Sequence, residues 1–362
     1  GGCACYILTE RNLPPSPFFR EPHAMGKRHF APSEYHLHQL EQMEPSMAWN
    51  GQSFDSWQGQ LRGKLLELIG GLPTGHYPLN VETIERETTD TYERTRLVFT
   101  SEPYADVPCH LLIPHEVNEP VPAMVCLQGH SPGMHISIGE ARDEHEQELV
   151  DGDRDFAIQA VENGFVALAV EQRCFGERGE SLQKQRSDHP CIDAAMHSIQ
   201  LGRTLQRERV WDVKRAIDLL ETRPEVDSSR IGCMGNSGGG TVTFYAACLE
   251  ERVQTAVVSC AFCTYADSLM RIYHCPDNYI PGILQVARME DLAGLIAPRH
   301  LLVVAGEKDD IFPVEGVREA YETVGAIFEA AGCPENARLI VGDGGHRFYA
   351  EESWPLIRTF MA

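Results

Sequence analysis

Hydrophobic and polar positions along this chain follow two alternating patterns. Short runs with few polar residues occur at 122–127 (PAMVCL), 165–170 (FVALAV), 230–234 (RIGCM), 254–259 (QTAVVS), 300–305 (HLLVVA) and 337–341 (ARLIV). Near-continuous apolar runs of this length fit parallel strands covered on both faces. Two more β-like runs, 94–100 (RTRLVFT) and 108–113 (PCHLLI), come before them. Between the runs the apolar spacing turns helical. Phe54, Trp57, Leu61, Leu65 and Ile69 recur every three or four residues until Gly70-Gly71, which predicts a helix over 54–69. Residues 203–222 carry Val210, Val213, Ile217 and Leu220 on one face, and 314–331 carry Val314, Val317, Tyr321 and Ile327. Strands alternating with helices make βαβ units, so the expected fold class is α/β with a doubly wound, mostly parallel sheet.

Residues 1–50 are the least regular part, broken by Pro14, Pro15, Pro17 and Pro22, with room for one helix at 33–48. They read as an N-terminal extension to one catalytic domain over 51–362. Two insertions interrupt the alternation, one at 172–202 without strong periodicity and a lid-like one at 264–298 with short helices. Loops this long in a compact domain are usually functional or disordered. Both leave from the carboxyl ends of strands, where ligands of open α/β sheets sit.

Composition narrows the function classes. Lys plus Arg is 31 and Asp plus Glu is 53, so the net charge is 31 − 53 = −22. Such acidity repels phosphate backbones and argues against nucleic acid as a partner. No run approaches the roughly 18 apolar residues that span a membrane. The 12 cysteines are too few for a disulfide scaffold, and Cys126 and Cys233 fall in apparent strands as small apolar core residues. The first residues, GGCAC, show no basic segment followed by an apolar stretch. A reduced, cytoplasmic protein is the expectation. The extension could bury surface against a second copy of the chain, so a homo-oligomer formed through it is an open reading.

The strongest chemical signal is Gly235-Asn236-Ser237-Gly238-Gly239, which follows the run at 230–234 and precedes an apolar helical stretch at 241–249. This is G-x-S-x-G in the strand–turn–helix setting of a nucleophile elbow. A serine nucleophile needs a base and an acid to orient it, and in α/β-hydrolases they follow in the order Ser, Asp or Glu, His. Asp309 and His346 lie in turns after the last two strands, in that order, with Asp310 as the rival acid. Two backbone N–H donors are needed for the oxyanion. Gly238 supplies one candidate, and His130, in the turn Gln128-Gly129-His130 after the 122–127 strand, supplies the other through its backbone. The imidazole of His130 has no required role.

From about residue 54 the chain resembles the α/β-hydrolase superfamily, and within it the acetyl xylan esterase and dienelactone hydrolase-like group of bacterial serine esterases. The segments that carry the resemblance include LQGHSPGMHISIGE (127–140), LAVEQRCFGERGES (168–181), HCPDNYIPGI (274–283), DLAGLIAPRHLLVVAGEKDDIFP (291–313) and GGHRFY (344–349), beside the stretch 201–240 that ends in the elbow. In that family's pattern the acid precedes a proline by four positions, which favours Asp309, four before Pro313. Many relatives have His-Gly-x at the oxyanion turn; Gln128 replaces that histidine here. Dienelactone hydrolases proper use a cysteine nucleophile, whereas this chain has Ser237. The resemblance implies a serine ester hydrolase acting through an acyl-enzyme on small or carbohydrate acetyl esters, with a small-molecule ester as partner and no cofactor or metal. Two rivals stand beside it. One is a serine peptidase of the prolyl-oligopeptidase type, which usually carries a large β-propeller ahead of the catalytic domain; fewer than about 100 residues precede the sheet here. The other is an inactive hydrolase fold used as a binding module.

Other signals are weaker. Asp151, Asp153, Asp155 and Glu162 mimic a calcium loop, but Phe156 stands where its sharp turn needs glycine. Cys260-Ala-Phe-Cys263 has redox-like spacing at a strand end, where core packing is the expected role. His36 with His38, and His110 with His115, lack partners for a metal site. Arg173, in a loop with Phe175, Glu177 and Arg178, reads as holding that loop through a carboxylate rather than binding substrate. His274, Asn278 and Tyr279 either line the pocket or pack the lid.

Overall fold

Nine strands form one sheet in a computed structural model that describes residues 28–115, 117–130, 132–179 and 191–362. They are β1 (Glu82–Thr88), β2 (Tyr92–Glu102), β3 (Ala105–Pro114), β4 (Val121–Leu127), β5 (Val166–Val170), β6 (Val226–Asn236), β7 (Val253–Ser259), β8 (His300–Gly306) and β9 (Ala337–Gly342). Their order is β1-β2-β3-β5-β4-β6-β7-β8-β9. The first three strands and the β3–β5 pair are antiparallel, and every pair from β5 to β9 is parallel. This is the doubly wound, mostly parallel sheet expected.

The α-helices among the described residues are α1 (Pro32–Glu41), α2 (Phe54–Leu68), α3 (Glu144–Leu149), α4 (Phe156–Glu162), α5 (Ile192–Gln200), α6 (Leu205–Glu221), α7 (Gly238–Leu249), α8 (Met289–Ala293), α9 (Val314–Ala330) and α10 (Ala350–Phe360), with α3 and α8 only a turn or so long. Alternate side chains of the parallel strands enter two cores. Val125, Cys233, Val258 and Val303 pack with α2, α6, α7 and α9, and Met124, Met234, Val257 and Val304 pack with α4 and α10. Both faces are therefore covered, which is why these strands read as unbroken apolar runs.

The sequence reading and the structure part in three places. β1 (ETIERET) is exposed along its whole length, so it carries no apolar signal; its charges suit an edge strand that must not pair further. The helix expected over 33–48 ends at Glu41, ahead of Pro45, whose ring disfavours helical geometry in the residue before it. The first insertion does contain a helix, α5, but Met196 and Ile199 face solvent while Ala195 and Ser198 are buried. Residues 1–27 of the extension, with its four early prolines, and 180–190 of the first insertion lie outside the described residues. Beyond α1 the extension meets the second insertion, where Met47 N–H donates to Val286 (2.8 Å) and Trp49 N–H to Asp291 Oδ1 (2.7 Å). Among the described residues no helix is long and apolar enough to cross a membrane.

Candidate active site

The chain reverses sharply where β6 meets α7. Ser237 occupies that point with φ 56° and ψ −125°, a conformation that costs a non-glycine residue about 1–3 kcal/mol. The turn is held on both sides: Ser237 N–H donates to Ser259 O (2.9 Å), and its carbonyl accepts from Thr241 N–H (2.9 Å). Close packing explains the glycines that follow. A Cβ on Gly239 would lie 2.1 Å from the Leu127 carbonyl oxygen, so only glycine lets α7 sit this close to β4. The strain is thus balanced by packing around the turn, and Ser237 stands at the carboxyl edge of the sheet beside β4. There the connections leave in opposite directions, the switch point where open α/β sheets bind ligands.

The turns after β8 and β9 bring a carboxylate to an imidazole. Asp309 Oδ2 lies 2.9 Å from His346 Nδ1. Its other oxygen accepts from the N–H groups of Ile311 (2.9 Å) and Phe312 (3.1 Å). Burial works against a charge here, but His346 and the two N–H donors outweigh it and hold the carboxyl below its ordinary range. Asp310, the rival, is exposed. The His346 ring stacks on Phe312 with an interplanar angle of 15°. With Nδ1 committed to Asp309, Nε2 is the nitrogen left to take or give a proton.

The loop after β4 meets the elbow from the other side. A Cβ on Gly238 would come within 2.8 Å of the His130 ring, so the imidazole itself, and not only the backbone, borders the site. His130 Nε2 is 3.1 Å from Asp277 Oδ2. Burial alone would lower the His130 pKa; the Asp277 carboxylate outweighs it and raises it to about 10. Asp277 also pairs with the buried guanidinium of Arg209, which lies over the Phe175 ring, 4.5 Å from its centroid. Below the loop, the buried Glu171 carboxylate accepts from Gln128 Nε2 (2.8 Å) and Met134 N–H (3.1 Å).

An Abhydrolase family model matches residues 26–338. The chain belongs to the Abhydrolase family. A curated relative, the "Putative hydrolase YtaP" of Bacillus subtilis (strain 168), is 23% identical over 299 residues, covering 80% of this chain and 94% of that protein. Among solved structures, a "putative acetyl xylan esterase" from Bacteroides fragilis NCTC 9343 aligns with TM-score 0.76 at 18% identity, over 92% of this chain and 95% of the other. A glucuronoyl esterase from Solibacter usitatus aligns with TM-score 0.65 at 15% identity, over 87% of this chain and 96% of the other. At these identities the structural likeness speaks for the α/β-hydrolase fold.

The remaining sequence candidates find definite places in the Abhydrolase chain. Arg173 binds no open site; it pairs with Asp212 (2.9 Å), Glu102 (2.8 Å) and Glu208 (3.1 Å) and so holds its loop to α6. Arg178 joins the same Asp212 (2.7 Å), and Glu177 pairs with Arg96. His274 is buried, bonds Ser268 Oγ (2.8 Å) and packs on Phe312, whose ring also meets His346. Asn278 and Tyr279 instead line a hollow of about 240 Å³ with Met43 and Met270. Cys260 and Cys263 are buried, and burial pushes the Cys263 thiol up to about 12. Asp153, from the calcium-like run, pairs with Arg347 (2.7 Å). His36 and His38 lie exposed on α1, and His115 bonds Thr89 O. Among the described residues, two groups bring enough His, Cys and Asp atoms together to share an ion. One is Cys260 with Asp309 and His346; the other is His130 with Cys191, Cys275 and Asp277. Sequence reasoning missed Asp277, Arg209 and Glu171, because each reads as an ordinary surface charge.

Proposed function

We propose that the chain is a serine carboxylic ester hydrolase that works through an acyl-enzyme, with small or carbohydrate acetyl esters as its substrates. The observation that carries this reading is the Asp309–His346 pair at 2.9 Å, in the turns after β8 and β9, together with the strained Ser237 at the end of β6. Ser237 Oγ attacks the ester carbonyl while His346 Nε2 takes its proton. Asp309 keeps the imidazole oriented and stabilises its charged form. The N–H groups of Gly238 and His130 receive the oxyanion. His346 then protonates the departing alcohol, and a water activated by the same nitrogen releases the acid. The choice of acetyl and carbohydrate esters rests on relatives named acetyl xylan esterase and glucuronoyl esterase and on the sequence resemblance.

Initial rates on nitrophenyl esters of rising acyl length, followed by acetylated xylo-oligosaccharides, test the reading. Turnover highest on acetate and falling with chain length is expected. Folded protein that cleaves no ester and takes no label from a phosphonate ester would overturn it. The two aspartates give a finer test. Asp309→Asn should lower kcat/KM on the order of 10³-fold, whereas the exposed Asp310→Asn should stay within a few-fold of wild type. The reverse ranking would move the acid to Asp310.

A further inference from the structure

We propose that His130, Cys191, Cys275 and Asp277 form a tetrahedral site for a structural divalent cation of the zinc class, which fastens the two insertions to the loop after β4. The four residues come from three separate places. His130 follows β4, Cys191 stands immediately before α5, and Cys275 and Asp277 flank the start of a one-turn helix in the second insertion. Their ligand atoms all lie within 4.8 Å of one another. His130 Nε2 is 3.1 Å, and Cys191 Sγ 3.5 Å, from Asp277 Oδ2. A tetrahedral ion with bonds of about 2.0 Å to nitrogen and oxygen and about 2.3 Å to sulfur needs N···O and S···O edges of about 3.3 and 3.5 Å. The cluster is therefore spaced as a coordination shell.

A second observation points to the same ion. Asp277 is buried, and its Oδ1 has no hydrogen-bond partner among the described residues. His130 and Arg209 both engage Oδ2, so nothing compensates Oδ1; buried carboxylate oxygens are ordinarily paired, and a cation bound at Oδ2 would lie close enough to offset the charge on this bare oxygen as well. The charges also close. Two thiolates, one carboxylate and a neutral imidazole around a divalent cation sum to −1. Arg209, itself buried, adds +1; it donates to Asp277 Oδ2 and, through Nη2, to Cys191 Sγ at 3.2 Å. Donors of this kind behind a ligand sulfur and a ligand carboxylate fix their orientation. Two sulfurs and an imidazole select zinc over magnesium or calcium. Four protein ligands close the shell, which suits a structural ion rather than one that activates water. Thiols and imidazole coordinate only without their protons. Binding therefore releases to solvent one proton from each thiol and the one shared between His130 and Asp277.

No local motif announces this site. His130 and Asp277 are 147 positions apart, and neither cysteine has a C-x-x-C partner. The test is metal content of the purified full chain, measured by mass spectrometry after zinc loading and desalting, beside cobalt substitution. About one zinc per chain is expected, with strong near-ultraviolet thiolate-to-cobalt absorption in the cobalt form. Cys191→Ser and Cys275→Ser should each weaken zinc binding by about 100-fold or more. A chelator should lower the thermal midpoint of wild type and leave that of the two variants unchanged. Less than about a tenth of a zinc per chain, with no thiolate-to-cobalt band, would overturn the site and leave a plain Arg209–Asp277–His130 ion cluster. Full zinc retention in both folded variants would overturn it equally, by locating the ion elsewhere. Where a variant fails to fold, the wild-type cobalt spectrum decides, because its intensity reports thiolate ligation directly.

Discussion

Replacing Ser237 with alanine is expected to lower kcat/KM on any ester the chain cleaves by about 10⁵-fold or more, equivalent to about 7 kcal/mol of transition-state stabilisation. The loss is this large because, in the proposed mechanism, the serine oxygen is the atom that bonds to the acyl group. His346 and the oxyanion donors have little to act on without it. A remainder above the rate in water is expected, since backbone donors can still polarise the carbonyl for attack by water. Stability separates this effect from damage to the fold. Alanine at φ 56° keeps the strain of the elbow, so the Ser237→Ala unfolding midpoint should stay close to that of wild type. Glycine adopts that φ freely. Ser237→Gly should therefore be equally inactive yet more stable, by roughly 1 kcal/mol. Initial rates and urea titrations on the three proteins check both parts. Turnover within tenfold of wild type in Ser237→Ala would remove the serine from the chemistry.

The elbow could be read in the sequence because its demands are local. A strand, a sharp turn and a closely packed helix need Gly235, Ser237 and Gly239 in fixed order, and the structure brings Asp309 to His346 as chain order and turn positions suggested. The parallel strands were legible for a related reason. With helices on both faces, nearly every side chain from Met124 to Leu127 must be apolar. Periodicity failed where burial and polarity part company. Along α6 the apolar face of Val210, Val213, Ile217 and Leu220 was plain, but Arg209, Asp212 and Arg215 look like a solvated face and are buried. The insertions cover Arg209 and Asp212, and the segment at Tyr77 meets Arg215; a hydropathy pattern cannot show what a distant loop will cover. The same blindness hid Asp277 and Glu171, and it made His130 look like a bystander. In each case the partner that makes burial tolerable lies dozens of residues away.

That covered face carries the largest expected loss of stability. The Asp212 carboxylate, only 3% exposed, accepts from Arg173 Nε and Nη2 (both 2.9 Å), Arg178 Nη1 (2.7 Å) and Ser101 Oγ (2.6 Å). It ties the loop after β5 to α6 and to the end of β2. Asp212→Ala takes from the largely buried Arg178 its carboxylate partner and leaves Arg173 with Glu102 and Glu208 alone, a change that costs about 3–5 kcal/mol. Burial resists the charge on Asp212, but Arg173, Arg178 and Ser101 more than offset it and hold the carboxyl well below the usual range. The pH dependence follows from that direction. A folded-state pKa below the unfolded value, about 3.9, gives stability that is fully present above that pH. It is lost as pH falls toward the folded pKa. The difference in urea midpoint between wild type and Asp212→Ala should therefore be full at pH 7 and shrink as acid protonates the carboxylate of the unfolded wild-type chain. A difference under about 1 kcal/mol at pH 7, where exposed pairs usually fall, would show that Asp212 is not the tie. A full difference that persisted unchanged well below pH 3.9 would show that its charge is not what holds the loop.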